Sequence, residues 1–229
     1  MSKSKKMVVL GAPGYIELHT LIRDINAADK DCYDVIALLD DDAGLHGSEI
    51  YGIPIAGPLS KVLEYDNDVC FALQVNNYTR RIRRMEIIRE LALPHQRFPS
   101  LVHPHSSIGD YVKIGYGTQI YSFADIKNGT TFGNFCVFFD HLSTSANVTV
   151  SDGCMGGMKV TLMNGCRLAQ CSFVGTGAIV MENVELGAAG MIGAHGLALS
   201  DIPPGHLALG SPINKQIKDI DLPSWILDA

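Results

Sequence analysis

The chain has 229 residues, of which 47% are hydrophobic and 18% charged, and its formal net charge is -6 at pH 7. This composition is that of a folded protein of one or two modest domains and excludes a disordered chain. The basic residues are scattered except for a short run from Arg80 to Arg84, so a nucleic-acid partner is not expected.

No apolar run approaches the roughly 18 residues of a membrane span, and the first residues lead straight into a strand pattern. We therefore expect neither a membrane span nor a signal peptide. The six cysteines form no CxxC pair, and Cys136, Cys154 and Cys166 fall at small inward positions of the repeat described below. Buried free thiols of this kind indicate a reducing compartment, the cytoplasm.

Strands and helices alternate along the first 98 residues. Strands are predicted over 6–12, 33–42 and 69–75, and helices over 15–28 and 78–91. This alternation is typical of a Rossmann-like parallel sheet, whose ligands bind at the carboxyl ends of the strands.

Two pairs of residues stand at that predicted edge. Gly11 and Gly14 follow the first strand, and Asp40 and Asp41 end the second. The segment GAPG is weaker than a full GxGxxG fingerprint, so a plain strand-to-helix turn has about equal weight.

A branched, aromatic or small residue then recurs at every sixth position from Val102 to Ala198 without an insertion. The residue two places before each of these rungs is also mostly small, Leu142 being the bulkiest exception. The rungs are Val102, Ile108, Ile114, Ile120, Ile126, Phe132, Phe138, Thr144, Val150, Gly156, Leu162, Leu168, Val174, Val180, Leu186, Ile192 and Ala198.

A period of six predicts a parallel β-helix, in which each hexad supplies a short strand and a corner. Three hexads close one turn, and successive turns stack at about 4.8 Å. A β-sandwich with coincidental spacing is disfavoured, because the regularly spaced turn signals of such a fold are absent. We predict three parts: an α/β domain over 1–98, a β-helix over 99–200 and a C-terminal tail over 201–229.

The ladder, the preceding α/β domain and the segments GIPIAG (52–57) and VNNYTRRI (75–82) together resemble the hexapeptide-repeat sugar acetyltransferases. The likeness is to the sialic-acid O-acetyltransferase and bacillosamine N-acetyltransferase family, and it spans nearly the whole chain. It implies a left-handed β-helix and direct transfer of an acetyl group from acetyl-CoA, without a metal, to the amino group of a nucleotide-linked amino sugar. It also implies a homotrimer with active sites between subunits.

The resemblance also assigns site residues. His141 is the expected general base, a role that suits imidazole, with Asp140 beside it. The family usually places the histidine before the acid and two places after a rung, whereas here the order is Asp-His and the histidine stands three places after Phe138. With three hexads to a turn, His141 shares a column with His105, Phe123, Lys159, Gly177 and His195.

The remaining assignments concern the two substrates. The family's first turn commonly reads GxGGHG, whereas this chain has Pro13, Tyr15 and Ile16 at the variant positions. Residues expected to bind the sugar nucleotide are Gly11, Pro13, Gly14, Asp40, Asp41 and Arg80. Residues expected to bind coenzyme A are Gly157, Met158, Lys159 and Gly177, with Gly210, Pro212 and Lys215 from the segment 200–215.

Three alternatives remain open from the sequence. The acceptor could be a sugar hydroxyl, or the acyl group could be another one. The same fold hosts zinc carbonic anhydrases, but the spacing of His103, His105 and His141 resembles no such metal site. A relative without catalytic activity could serve as a binding protein.

Overall fold

The computed structural model describes residues 4–28 and 32–227. The first part is an α/β domain with the sheet order β3-β4-β2-β1-β5, in which all pairs are parallel except β3 with β4. Its elements are β1 (Lys5–Leu10), α1 (Tyr15–Ala27), β2 (Tyr33–Leu39), β3 (Glu49–Ile50), β4 (Ile53–Gly57), β5 (Cys70–Leu73) and α2 (Arg81–Leu91).

The predicted strands and helices are confirmed, with shifts at their ends. The strand β1 is central and buries four consecutive apolar residues, Met7 to Leu10. The helix α1 buries Tyr15, Leu18 and Ile22 at the spacing of one helical face. The helix α2 starts three residues later than predicted because Asn77 accepts a hydrogen bond from the Thr79 amide and caps a separate single turn.

The β-helix follows without interruption, and every rung is the second residue of a two-residue strand. We number these strands β6 to β22. They are Leu101–Val102, Ser107–Ile108, Lys113–Ile114, Gln119–Ile120, Asp125–Ile126, Thr131–Phe132, Val137–Phe138, Ser143–Thr144, Thr149–Val150, Met155–Gly156, Thr161–Leu162, Arg167–Leu168, Phe173–Val174, Ile179–Val180, Glu185–Leu186, Met191–Ile192 and Leu197–Ala198.

Each of these strands pairs in parallel with the strands three hexads away, which produces three faces. Face I contains β6, β9, β12, β15, β18 and β21; face II begins with β7 and face III with β8. The predicted left-handed parallel β-helix is confirmed. Rung side chains from Ile120 onward fill its interior, and the compact residues Cys136, Cys154 and Cys166 pack among them. All six cysteines are free.

The residues after the ladder close the structure. Strand β23 (His206–Gly210) adds to face I beside β21, β24 (Ile213–Lys218) returns antiparallel to it, and α3 (Ser224–Leu227) follows. The buried Arg81 donates hydrogen bonds to the Ala189 carbonyl and to Asp219, and so connects α2, the β-helix and the tail.

The α/β domain packs against face I. Leu101, Val137 and Met155 of that face, and Tyr121 of the corner after it, join the core that contains α1 and β1. Phe98 and Phe135 join the core that contains α2. The carboxyl edge of the small sheet therefore lies beside a corner of the β-helix. Among the described residues, no helix is long and apolar enough to cross a membrane.

Candidate active site

A cavity of about 740 Å³ lies at the carboxyl edge of the small sheet. It is formed by the turn between β1 and α1, the end of β2, the end of β5 and the start of α2. All six residues predicted to bind the sugar nucleotide line it, namely Gly11, Pro13, Gly14, Asp40, Asp41 and Arg80. We call this space the first cavity.

The two glycines of the first turn are required by the neighbouring strand end. A Cβ on Gly14 would lie 2.4 Å from the Gln74 carbonyl oxygen, and Gly11 has a φ of +102°. Larger residues would push the turn away from β5. The glycines therefore allow the turn to pack closely beside the cavity.

The charged groups of the first cavity have distinct surroundings. Asp40 accepts hydrogen bonds from the amides of Ala12 and Asp42, and Asp41 accepts one from the Leu59 amide. The guanidinium of Arg80 makes no hydrogen bond or ion pair with the described residues. Residues at the start of α1, whose amides lack partners within the helix, line the same cavity. This end of the cavity can bind an anion such as a phosphate.

A second cavity, of about 490 Å³, lies between α1 and the corner that follows face I. It adjoins the first, because Glu17 and Asn76 line both. Its walls are mostly apolar, with Tyr78 stacked on Phe173 at a centroid distance of 4.9 Å.

The corner after face I recurs once in every turn of the β-helix and forms three columns. The first contains His103, Tyr121, Phe139 and Gly157; the second contains Ser122, Asp140, Met158 and Thr176; the third contains Phe123, His141, Lys159 and Gly177. Residues of the first and second columns line the second cavity, and none of the third column does.

Asp140 and His141 consequently have different positions relative to the second cavity. Asp140 lines the second cavity, and one of its oxygens accepts a hydrogen bond from the Ser122 amide at 2.9 Å. His141 has a φ of +63°, is exposed and stacks on Phe123 at 5.3 Å between ring centroids. The left-handed conformation recurs at the same place of other hexads, so the corner itself directs His141 outward.

The predicted coenzyme A residues also fall into groups. Gly157 and Met158 line the second cavity, while Lys159 and Gly177 lie in the third column next to it. Gly210, Pro212 and Lys215 lie together in the exposed hairpin of β23 and β24. Among the described ranges, no group of three or more His, Cys, Asp or Glu side chains is arranged to hold a metal ion.

Two polar groups of the second cavity were missed by the sequence analysis. The Tyr121 side chain is buried, and its hydroxyl lies beside the Gln74 side chain. Glu17 makes no hydrogen bond or ion pair with the described residues. Desolvation raises the pKa of Glu17, and the nearby charge of Asp140 raises it further. The sequence offered a signal only for Tyr121, which directly follows a rung, as Phe139 does.

Comparison with solved structures finds the same architecture elsewhere. The acetyltransferase domain of PglB from Neisseria gonorrhoeae FA1090, in complex with acetyl coenzyme A, matches with a TM-score of 0.77 and 21% identity over 93% of this chain and 99% of that one. A mutant of perosamine N-acetyltransferase from Caulobacter crescentus, in complex with CoA and GDP-perosamine, matches with a TM-score of 0.79 and 20% identity over 96% and 99%. WeeI from Acinetobacter baumannii AYE matches with 0.76 and 18% over 91% and 98%.

No protein-family model matches the chain, and no curated protein matches its sequence. The likeness therefore rests on structure. The expected resemblance to hexapeptide-repeat sugar acetyltransferases is confirmed for the fold: the chain is a small α/β domain on a left-handed parallel β-helix, as these acetyltransferases are.

Proposed function

We propose that the protein transfers an acetyl group from acetyl-CoA to the amino group of a nucleotide-linked amino sugar. The observation that carries this proposal is the continuity of the two cavities through Glu17 and Asn76. One cavity has the location of a nucleotide site in an α/β sheet, and the other opens at a β-helix corner.

The first cavity suits the nucleotide part of the substrate. The amides at the start of α1 and the free guanidinium of Arg80 would bind the phosphates. The carboxylates of Asp40 and Asp41, held by backbone amides, would accept hydrogen bonds from the ribose or the base. Pro13, Gly11 and Gly14 would shape the turn along which the phosphates lie.

The second cavity suits the sugar and the acetyl group. Its buried Tyr121 hydroxyl can donate a hydrogen bond to a carbonyl oxygen or to a sugar hydroxyl. Gly157 and Met158 would lie beside the acetyl end of coenzyme A. Lys159 and Gly177 would lie along its pantetheine arm, and Gly210, Pro212 and Lys215 near its phosphates.

When bound, acetyl-CoA supplies an activated thioester, and the protein must position the amine and accept its proton. The segment of Asp140 and His141 is expected to provide the proton acceptor. Perosamine N-acetyltransferase was solved as mutants in which a histidine is replaced by Asn or Ala, which makes this class of residue the natural first test.

We further propose a homotrimer. His105, Phe123 and His141 form an exposed stack along the third column, and Phe123 is 55% exposed. Exposed aromatic side chains in a row are typical of an interface. A neighbouring copy on this corner would close the open side of the second cavity beside Met158. Six free cysteines favour a reducing compartment, and we propose the cytoplasm.

The test is release of coenzyme A thiol from acetyl-CoA in the presence of GDP-, UDP- and dTDP-linked amino sugars. Each amino sugar is paired with the same sugar carrying a hydroxyl in place of the amine. We expect release that depends on one nucleotide class and on the amine. Release with the hydroxyl partner instead would assign O-acetylation, and no release with any acceptor would overturn the proposal.

A further inference from the structure

Three side-chain amides connect the β-helix with the wall that the two cavities share. The Nε2 atom of Gln119, in β9, donates a hydrogen bond to the Leu73 carbonyl oxygen at 3.0 Å. Gln74 donates from Nε2 to Gln119 Oε1 at 2.7 Å, and Asn76 donates from Nδ2 to Gln74 Oε1 at 2.6 Å. We call Gln119, Gln74 and Asn76 the amide network.

The amide network lies in an apolar contact between the α/β domain and face I. Gln119 and Gln74 are only 1% and 3% exposed, and the neighbours of Gln119 in face I are Leu101 and Val137. A buried side-chain amide costs free energy unless its polar atoms are hydrogen-bonded. Gln119 and Gln74 meet this condition, because each donates one hydrogen bond and accepts another. The network is therefore a fixed part of the contact between the two domains.

One backbone carbonyl sets the order of donors and acceptors in the amide network. The Leu73 oxygen can only accept, so Gln119 must turn its NH2 group toward Leu73 and its Oε1 toward Gln74. Gln74 must then turn its own NH2 group toward Gln119 and its Oε1 toward Asn76. Reversing any one of these amides would bring two acceptors or two donors together. Asn76 is thereby required to use Nδ2 within the protein, and its Oδ1 is left as an acceptor.

Asn76 lies at the junction of the two cavities. It lines both of them, and its Oδ1 atom is buried without a hydrogen-bond partner among the described residues. A buried acceptor of this kind gains more from a bound donor than an acceptor that is already hydrated does. The first turn leaves room for the network, because a Cβ on Gly14 would lie 3.1 Å from Gln74 Oε1.

We propose that Asn76 determines specificity for the sugar, by accepting at Oδ1 a hydrogen bond from a sugar hydroxyl or ammonium group between the diphosphate and the second cavity. Gln74 and Gln119 are positioning residues, which act by fixing the direction of the Asn76 amide. This inference rests on the proposed function. An acceptor at this point favours a sugar that carries a donor there over its deoxy counterpart, whose C–H group would leave Oδ1 buried and unpaired.

The first experiment measures dissociation constants by isothermal titration calorimetry for wild type, Asn76→Ala and the control Asn67→Ala. Asn67 is exposed and lines neither cavity. The ligands are GDP, UDP and dTDP, and the amino sugars linked to them. For the nucleotide class that wild type binds, we expect Asn76→Ala to bind the sugar nucleotide about 10-fold more weakly and the bare diphosphate within about twofold of wild type. Asn67→Ala should match wild type with both ligands.

The second experiment uses analogues of that sugar nucleotide in which the amine or one hydroxyl is replaced by hydrogen. In wild type, one analogue should lose about 10-fold in affinity, and its missing group is the partner of Oδ1. In Asn76→Ala the same analogue should bind as well as the intact sugar nucleotide, because the two changes remove one hydrogen bond. A role of Asn76 in folding alone would not produce this coupling.

Gln119→Met tests the positioning role, with the exposed Gln96→Met as its control. Without the Gln119 amide, the amides of Gln74 and Asn76 are free to reverse. We expect the affinity for the sugar nucleotide to fall about three- to tenfold and that for the bare diphosphate to stay within about twofold. Wild-type affinity of Gln119→Met for the sugar nucleotide would contradict the positioning role.

An equal loss for the sugar nucleotide and the bare diphosphate in Asn76→Ala, or wild-type affinity for both, would overturn the inference while leaving the proposed function intact. So would additive effects of Asn76→Ala and every analogue. A wild type that binds none of these nucleotides and releases no thiol from acetyl-CoA with any amino sugar would instead overturn the proposed function, and the role of Asn76 with it.

Discussion

At the scale of single residues, the chain separates the task of binding from the task of chemistry. Arg80 and Arg83 line the first cavity together with Asp40, Asp41 and Asp42, Asp140 lines the second, and Glu17 lines both. In the proposed function, the free guanidinium of Arg80 binds a phosphate of the nucleotide. The carboxylates of the second cavity would then lie beside the amine of the sugar.

Replacing Arg80 by Ala tests the binding part. We expect KM for the sugar nucleotide to rise about 10-fold or more with little change in kcat, since a hydrogen-bonded cation is worth roughly 1.5–3 kcal/mol. Arg167→Ala, on face III, is the control and should change neither constant. A fall of kcat with unchanged KM would place Arg80 in the chemical step instead.

Glu17 also has a predicted effect on stability. Its pKa is raised in the folded protein. The contribution of Glu17 to the free energy of unfolding is therefore fully present below the pKa of unfolded glutamate, and it is lost as the pH rises through the folded pKa. Glu17→Gln should therefore raise the melting temperature at pH 7.5. The difference should disappear below about pH 4, near the ordinary pKa of glutamate. A lower melting temperature at pH 7.5 would show that the carboxylate is stabilising.

At the scale of elements, the hexad spacing was sufficient to predict the β-helix because each rung depends only on local geometry. The same spacing grouped His141 and Lys159 correctly in one column. It did not reveal which column faces the α/β domain, because that depends on how Tyr121 and Met155 pack against α1 over long sequence distances. For the same reason, the sequence could not show that Glu17 lines the same cavity as Asp140.

Inside the β-helix, the large rung Phe138 fills the space left by the small rung Gly156 one turn later. Gly156 lies over Phe138, whose ring would be 2.4 Å from a Cβ at position 156. We expect Gly156→Val to lower the free energy of unfolding by about 1–3 kcal/mol through overpacking. Phe138→Leu should reduce that cost when the two changes are combined. Additive effects in denaturant unfolding of the double mutant would show that the two sites do not couple.

Arg83 and Arg84 are neighbours in α2 but differ in burial, so substituting each of them compares an exposed arginine with a buried one. Arg84 is fully buried, donates a hydrogen bond to the Phe135 carbonyl, and burial lowers its pKa to about 10, so it remains charged at neutral pH. Arg84→Ala would leave a cavity and an unpaired carbonyl, at a cost of about 2–4 kcal/mol. Arg83→Ala removes only exposed ion pairs with Glu86 and Glu90 and should cost less than about 1 kcal/mol. Equal effects in chemical denaturation would contradict the buried role of Arg84.

At the scale of the whole molecule, the α/β domain and the β-helix share their cores along face I. This packing holds the two cavities in contact. The second cavity opens beside the third column, and Phe123 of the third column and Met158 of the second are about half exposed. A second copy of the chain at this corner would complete the site.

Light scattering tests that assembly. We expect the mass of three 24.8 kDa chains and its loss in Phe123→Asp, because a charge would be placed in the interface. Tyr111→Asp is the matched control, since Tyr111 has the same left-handed corner conformation and is 86% exposed at a different corner. A monomer that transfers acetyl groups at full rate would contradict the shared site.

We propose that the two cavities form one continuous site for a sugar nucleotide. A crystal structure of the protein with its amino sugar nucleotide would show this site directly. We expect the phosphates at the start of α1 beside Arg80, and the amine in the second cavity beside Asp140. A sugar that points away from the β-helix, or a nucleotide bound outside the first cavity, would contradict it.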